Sequence, residues 1–298
     1  MLATEAQIIR LSQGQLNLLE RCPRQFQHSY LEQLYSPIKP ENEENLTLGS
    51  QFHLLMQQRE MGLPIESILA DNPQLQSWMQ GFSDVAPNIL TSATTTEIFR
   101  ESEHYRTLQV GNYVLAVIYD LLIADQYQAQ ILDWKTYPKP LNKKFLEKNW
   151  QTRLYLYVLA ETSEYLPENI SMTYWFIQSD TKPESLKFTY NSLLHQQTGK
   201  KLQQLLGKLT KSLNQYHQGK EDIAFPQVPL GSKICEYCQF ATKCGRVNES
   251  EINYKVVSSN ETTIVPVETM NLNEEMEDIL TNLDSNLLNI DNIQEVTL

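Results

Sequence analysis

Two aspartates and a lysine stand in this sequence where a single hairpin would bring them together. Asp120 lies in the apolar run 113–124 (YVLAVIYDLLIA), and Asp133 and Lys135 lie in 128–136 (QAQILDWKT), with turn residues Asp125–Gln128 between them. Apolar runs separated by a short polar turn predict an antiparallel hairpin. With the turn centred between Gln126 and Tyr127, paired residues have numbers summing to 253. Asp120 then faces Asp133 at close cross-strand range, and Lys135, two residues further, shares the face of Asp133. Two carboxylates and an ammonium among Val114, Leu115, Val117, Ile118, Ile131 and Leu132 are costly to bury uncompensated. A divalent cation is one compensation, because Mg²⁺ and Mn²⁺ take carboxylate oxygens and retain water. The lysine would then orient water or stabilise charge developing on a phosphate. The same residues also permit a plain reading, a buried Asp–Lys pair that fixes strand register.

The neighbouring elements carry further candidates. A helix over 145–163 (FLEKNWQTRLYLYVLAETS) places Gln151 and Tyr155 four residues apart on one face. An early helix, starting near Thr47 after an acidic loop at 37–46, carries Gly49 and, four residues on, His53, whose imidazole could complete a metal site. The first helix spans 12–34, with Ser12 as N-cap, Gln15 at the capping-box position and an interruption at Cys22–Pro23. Residues 63–95 read as short helices broken at Pro64, Pro73 and Pro87. Strand 97–109 precedes the hairpin across a turn at Val110–Gly111 and contains Glu101 and Glu103, either of which could add an acid. Strands at 170–178 and 185–190, a lysine-rich helix at 191–218 and a cysteine-rich segment at 233–247 complete the body.

Charge is unevenly spread. The chain of 298 residues carries a net charge of −12, yet residues 248–298 hold eleven acids against Lys255, which leaves −2 for the preceding 247 residues. Within that body, 134–153 and 182–220 are basic, with one glutamate each, Glu147 and Glu184. Local field outweighs net charge in holding a phosphate backbone. Trp134, Trp150, Tyr155 and Tyr157 lie near these segments as candidates to stack on unpaired bases. The acidic tail lacks glycine and, after Tyr254, aromatics, so it is expected to be mobile. Its one pattern is a helical stripe of Met276, Ile279, Leu280, Leu283 and Leu287, which could dock on a partner.

With 10 glycines, 13 prolines and 41% hydrophobic residues, the composition excludes collagen-like and low-complexity chains. There is no apolar run of the roughly 18 residues that a membrane span needs. The start MLATEAQIIRLSQGQ lacks signal-peptide character, and a cytoplasmic location is expected. No GxxxxGK[ST] occurs, so any unwinding would need a separate helicase. The cysteines are Cys22, Cys235, Cys238 and Cys244. In a reducing compartment such a set more often binds metal than forms disulfides. Four thiolates could hold Zn²⁺ or an iron–sulfur group, although one distant cysteine plus a trio is unusual for zinc.

The ordered set of His53, Asp120, Asp133-x-Lys135 and Gln151-x₃-Tyr155 resembles the PD-(D/E)xK nuclease superfamily, in particular its RecB-like branch with AddB-type nuclease domains. The matching text is LSQGQLNLLERCPRQFQHSYLEQL at 11–34, LGSQFH at 48–53, IYDLLIAD at 118–125, ILDWKT at 131–136 and QTRLYLY at 151–157. One departure is Val117, where the family usually has glycine three residues before the first aspartate. The resemblance implies an α/β fold with a restriction-endonuclease-like mixed sheet flanked by helices. It implies His53, Asp120 and Asp133 as ligands of Mg²⁺ or Mn²⁺, Lys135 as catalytic, and Gln151 and Tyr155 as supporting the site or contacting DNA. It also implies a [4Fe–4S] cluster on Cys22, Cys235, Cys238 and Cys244, joining the first helix to the C-terminal segment. The expected domain is 1–247, with 248–298 as the acidic tail. The expected activity is hydrolysis of DNA phosphodiesters, most often of single strands from an end, in repair, recombination or CRISPR-type processing. A catalytically inactive DNA-binding or scaffold subunit of a helicase–nuclease complex is the alternative.

Overall fold

Asp125 closes the central hairpin: its Oδ1 accepts from the backbone N–H of Tyr127 at 2.7 Å and of Gln128 at 2.8 Å. In the computed structural model, which describes residues 8–34, 40–90, 99–137, 143–178 and 182–246, this hairpin is the middle of a six-stranded mixed sheet. The chain divides into two compact units. One is Met1–Gln13 with Lys39–Gln204; the other is Gly14–Ile38 with Leu205–Leu298. Lys139 and the whole tail 248–298, including its apolar stripe, lie outside the described residues.

The first unit contains the sheet. Its strands are β1 (Ile9–Leu11), β2 (Phe99–Val110), β3 (Tyr113–Ala124), β4 (Ala129–Lys135), β5 (Ile170–Phe176) and β6 (Glu184–Thr189). β2 runs antiparallel along the full length of β3, around a turn where Gly111 takes φ +59°, a left-handed conformation that glycine adopts without steric cost. The opposite edge of β3 is shared, with β1 parallel to residues 113–115 and β4 antiparallel to residues 121–124. β4 pairs in parallel with β5, and β5 antiparallel with β6. A parallel neighbour requires a crossover, which is provided here by helices α7 (Lys143–Lys148) and α8 (Trp150–Glu161), numbered in chain order after the six below.

Helices cover both faces. α3 (Pro40–Glu60), α4 (Glu66–Ala70), α5 (Pro73–Val85) and α6 (Pro87–Leu90) follow α1 (Gln13–Arg21) and α2 (Pro23–Phe26). Phe52 and Met56 of α3 and Trp78 and Phe82 of α5 form one buried cluster with Leu121, Leu132 and Trp134 of the hairpin. Phe82 sets its edge against Trp134 and Trp175, with ring centres 5.3 and 5.2 Å apart. On the other face, the Tyr119 hydroxyl donates to the Tyr155 carbonyl of α8 at 3.0 Å. Asn149 separates α7 from α8 and caps the latter, accepting from Gln151 N–H.

The second unit holds the rest of α1, α2, a π-helical turn at Gln27–Leu31, the C-terminal part of α9 (Ser192–His217), α10 (Glu221–Ala224) and the cysteine-rich segment. Phe26 stacks on Phe225, and Arg24 Nε donates to the Phe225 carbonyl at 2.7 Å.

Three expectations need correction. The helix expected from Thr47 begins at Pro40, so most of the expected acidic loop is helix. The first helix does not reach residue 34. The interruption expected at Cys22–Pro23 is present, since proline at a helix start donates no N–H to the preceding turn; the departure is at the end, where the last turn, Gln27–Leu31, is π-helical and stops short of residue 34. The helix expected over 145–163 is two helices with Asn149 between them.

Candidate functional site

The hairpin has the expected register: Leu121 pairs with Leu132, Leu122 with Ile131, Ile123 with Gln130 and Ala124 with Ala129. The ladder stops there, one pair short of Asp120 and Asp133. Instead of joining a backbone pair, Asp120 uses its own carboxylate, and Oδ2 accepts from Trp134 N–H at 2.6 Å. Side chains two apart on a regular strand share a face. Yet Tyr119 reaches α8, whereas Leu121 belongs to the cluster of Phe52, Leu132 and Trp134. The strand therefore turns over at Asp120, which leaves that carboxylate between the two faces and within reach of α3.

The partner strand is irregular at the same level. Between the pairs Ser102–Leu121 and His104–Tyr119, Glu103 takes φ +51°. A non-glycine residue held in the left-handed region costs on the order of 1 kcal/mol. The distortion brings Glu103 to Asp120 and His53, and the ligand atoms of these three lie within 4.8 Å of one another. His53 Nδ1 is 3.5 Å from Asp120 Oδ2. Of the two glutamates considered from the sequence, Glu103 joins the group, while Glu101 pairs with His104 at 2.7 Å. Gly49, one turn before His53, allows the helix to pass close to the end of β4: a Cβ there would stand 2.7 Å from Thr136 Oγ1.

Asp133 and Lys135 share a face as expected and are buried, at 2% and 9% exposure. Lys135 Nζ lies 2.9 Å from Asp133 Oδ1 and donates to Gln151 Oε1 at 2.7 Å, while Gln151 Nε2 donates to Asp133 Oδ2 at 2.7 Å. One amide thus ties the carboxylate to the ammonium. Asp133 Oδ1 is buried and has only the charge contact, with no aligned hydrogen bond. Tyr155 is buried one helical turn behind Gln151, its ring edge-on to Tyr119.

The electrostatics are those of a pocket with excess negative charge. Desolvation lowers the His53 pKa, but the charge and hydrogen bond of Asp120, with Asp133 and Glu103, outweigh it and raise the pKa to about 9. Burial raises Asp133 above the usual carboxylate range, partly opposed by Lys135 and reinforced by Asp120. Such a pocket attracts a cation. The three ligand atoms, two carboxylate oxygens and one imidazole nitrogen, are close enough for one ion; Asp133 lies outside that group, its Oδ1 against Lys135, and contributes its charge to the field at His53. Two carboxylates with one imidazole form a donor set that could hold a divalent metal ion. Val117 is buried in β3, opposite Arg106.

Base stacking by the central aromatics is corrected: Trp134, Trp150 and Tyr155 are buried in the core, and Tyr157 lies against His195 with ring centres 4.7 Å apart.

In the second unit, Cys22, Cys235, Cys238 and Cys244 line one cavity and form no disulfide. No three of these sulfurs approach one another within the 4.8 Å that the histidine–carboxylate group satisfies. Burial raises the Cys238 and Cys244 thiols, and the neighbouring cysteines add to the shift. His28 was not anticipated. It is buried, with Nε2 3.8 Å from Cys244 Sγ and Nδ1 2.8 Å from Glu32. Its only sequence signal is position, six residues after Cys22 and four before Glu32.

Among the described residues no helix is long and apolar enough to cross a membrane. No curated protein matches the chain. Among solved structures it is similar to a protein from Eubacterium rectale named provisionally as an exonuclease, at 11% identity and TM-score 0.49, over 90% of this chain and 93% of the other. It is also similar to the structure of SSO0001, at 15% identity and TM-score 0.37, over 83% of this chain and 92% of the other. The sequence model of the PD-(D/E)XK nuclease superfamily matches residues 10–245. With that match spanning most of its length, the chain belongs to the PD-(D/E)XK nuclease superfamily.

Proposed function

We propose that this protein is a metal-dependent deoxyribonuclease, acting on single-stranded DNA from an end in repair, recombination or CRISPR-type processing. The observation that carries the reading is the convergence of His53, Glu103 and Asp120 beside the Asp133–Lys135–Gln151 triangle. His53, Asp120 and Asp133 would hold Mg²⁺ or Mn²⁺, with Glu103 as a further donor. When bound, the cation supplies electrophilic polarisation of the phosphodiester and acidifies water.

The chain's own groups do the rest. Lys135, fixed by Gln151, presents an ammonium to charge developing on the phosphate. Gln151 holds Asp133 and Lys135 in one geometry, and Tyr155 supports Gln151 from behind as a positioning residue. The preference for a single strand and for an end follows the RecB-like branch that the motifs resemble. The catalytic unit in this reading is 1–247, with the acidic 248–298 appended.

The second part of the proposal is a [4Fe–4S] cluster on Cys22, Cys235, Cys238 and Cys244. It rests on the resemblance and on four cysteines that line one cavity and form no disulfide. Such a group would close a loop across most of the domain.

The test is cleavage of end-labelled single- and double-stranded DNA with Mg²⁺ or Mn²⁺, on protein purified without oxygen, with iron and acid-labile sulfide assayed on the same sample. The expected result is a ladder from one end, abolished in Asp133→Ala and Lys135→Ala. Folded, iron-loaded protein that leaves both substrates intact would overturn the enzyme assignment in favour of a DNA-binding subunit. Active protein without iron or sulfide would overturn the cluster alone.

A further inference from the structure

A cavity of about 490 Å³ lies within the first unit, between α7, α8, β6 and the first turns of α9. Four cations line it, Lys143, Lys148, Arg153 and Lys201, and Glu147 is the one carboxylate among the lining residues. This is a local surplus of three positive charges in a chain whose net charge is −12. The cavity is separate from the carboxylate centre. On α8 it is lined by Thr152, Arg153 and Leu156, whereas Gln151 and Tyr155 belong to the other site. At about 100° per residue the two sets occupy different sides of the helix.

We propose that this cavity is a second nucleotide-phosphate site, one that grips DNA away from the bond being cut. Three of its cations stand over rings, and one of these also makes a polar contact. The Arg153 guanidinium carbon and Lys201 Nζ stand 6.0 and 5.9 Å from the ring centre of buried Trp150. Lys143 Nζ stands 4.9 Å from the Phe188 ring centre and donates to the Lys187 carbonyl at 3.1 Å. The Tyr190 hydroxyl, 3.2 Å from His195 Nδ1, and Thr198 add hydrogen-bonding groups to the wall. Phosphate oxygens take donors of both kinds. Leu156, Phe188 and the half-exposed Leu194 supply an apolar flank for sugar or base. The volume falls within the range of small-ligand sites, about 300–1,000 Å³. The ligand phosphate can belong to a free nucleotide or to a strand.

The experiment measures equilibrium binding of a fluorescein-labelled oligothymidylate to the full chain without divalent metal, so its result does not depend on hydrolysis. Competition by thymidine monophosphate and by inorganic phosphate separates the sources. Lys148→Glu and the milder Lys148→Ala probe the cavity. Lys208→Glu, an exposed change on α9 outside the cavity, carries the same charge reversal as the former. Lys148→Glu is expected to weaken oligonucleotide binding about tenfold and Lys148→Ala about threefold, with the log–log salt slope reduced by about one in Lys148→Ala. Lys208→Glu is expected to change affinity less than twofold, and all three to keep the wild-type melting profile. Displacement by the mononucleotide assigns the site to a free nucleotide or strand end. Cavity-dependent binding that the mononucleotide fails to displace assigns it to the backbone of a strand. Equal affinities in Lys148→Glu and Lys208→Glu would overturn the proposal.

Discussion

The carboxylate centre and the thiol cavity are built in opposite ways. Asp133 and Lys135 sit on β4, an inner strand that at their level pairs with β5 and meets the Asp120 carboxylate on the β3 side, beside a packed cluster that includes Trp134 and Phe82. Their side chains are tied by Gln151, itself placed by the Asn149 cap of α8. Around the thiols the backbone bonds are local turns: Cys235 N–H to Ser232, Cys238 N–H to Cys235, Ala241 N–H to Cys238 and Cys244 N–H to Phe240. Residues 233–246 contribute no strand and only a single 3₁₀ turn at Lys233–Cys235. The first site is arranged by the fold before any ligand arrives. The second is held by turns and a few contacts, His28 against Phe240 and Arg246 to Gln227 and Val228, with no strand ladder beneath it among the described residues.

The largest test of this contrast is Asp133→Asn. The amide keeps the shape and can still accept from Gln151, so the circular-dichroism spectrum should be unchanged. Loss of the charge should reduce DNA cleavage about 10³-fold, on the scale of removing one preorganised electrostatic group. A loss of less than tenfold would mean that Asp133 is a register-fixing residue only.

Cys238→Ser probes the other region. The prediction is loss of bound iron together with rapid proteolysis within 227–246, while cleavage within 113–135 stays slow. Stability should fall by about 2–4 kcal/mol if the group closes a long loop, by analogy with other covalent cross-links. A variant that loses iron and keeps native protease resistance in that segment would show that the cavity is self-supporting.

Much of the first site was legible in the sequence because its determinants are short-range. Two apolar runs and the Asp125 turn between them set the register of β3 and β4, and helical spacing set Gln151 with Tyr155. The hidden parts depend on distant contacts. β1 is three residues long and pairs with residues about a hundred positions away. The half-turn at Asp120 and the left-handed Glu103 are responses of two strands to each other, and no local pattern encodes them. The sequence reads 37–46 as an acidic loop, whereas the helix starts at Pro40. A proline followed by Glu41, Glu43 and Glu44 also suits a helix N-terminus, where acids meet the positive end of the dipole. In the second unit the cysteines were visible but not their spacing, and His28 had no motif to announce it.

Gly49→Ala is the next test in size. The added methyl would stand 2.7 Å from Thr136 Oγ1, so the Thr136 side chain must rotate or α3 and the end of β4 must move apart. Overpacking of this kind costs about 1–3 kcal/mol, offset in part by the higher helix propensity of alanine. The melting temperature should drop by several degrees, and His53 should move away from Asp120 with a loss of metal affinity. Adding Thr136→Ala should restore most of both. Rescue confined to stability would separate helix packing from His53 placement.

The smallest expected effect is also the most discriminating. Glu103 occupies a left-handed conformation that asparagine tolerates better. If the strain exists to place a metal donor, Glu103→Asn should be close to neutral for folding, within about 0.5 kcal/mol. It should nonetheless weaken Mn²⁺ binding about tenfold, or about 1.4 kcal/mol, as read by isothermal titration on the folded chain. Glu101→Gln, on the same strand but paired with His104, is the control and should leave Mn²⁺ affinity unchanged. Equal effects from the two substitutions would reduce Glu103 to one acid among several in a diffuse field. Loss in Glu103→Asn alone would show that the break in β2 is part of how this centre is made, just as the turn at Asp120 is on the strand beside it.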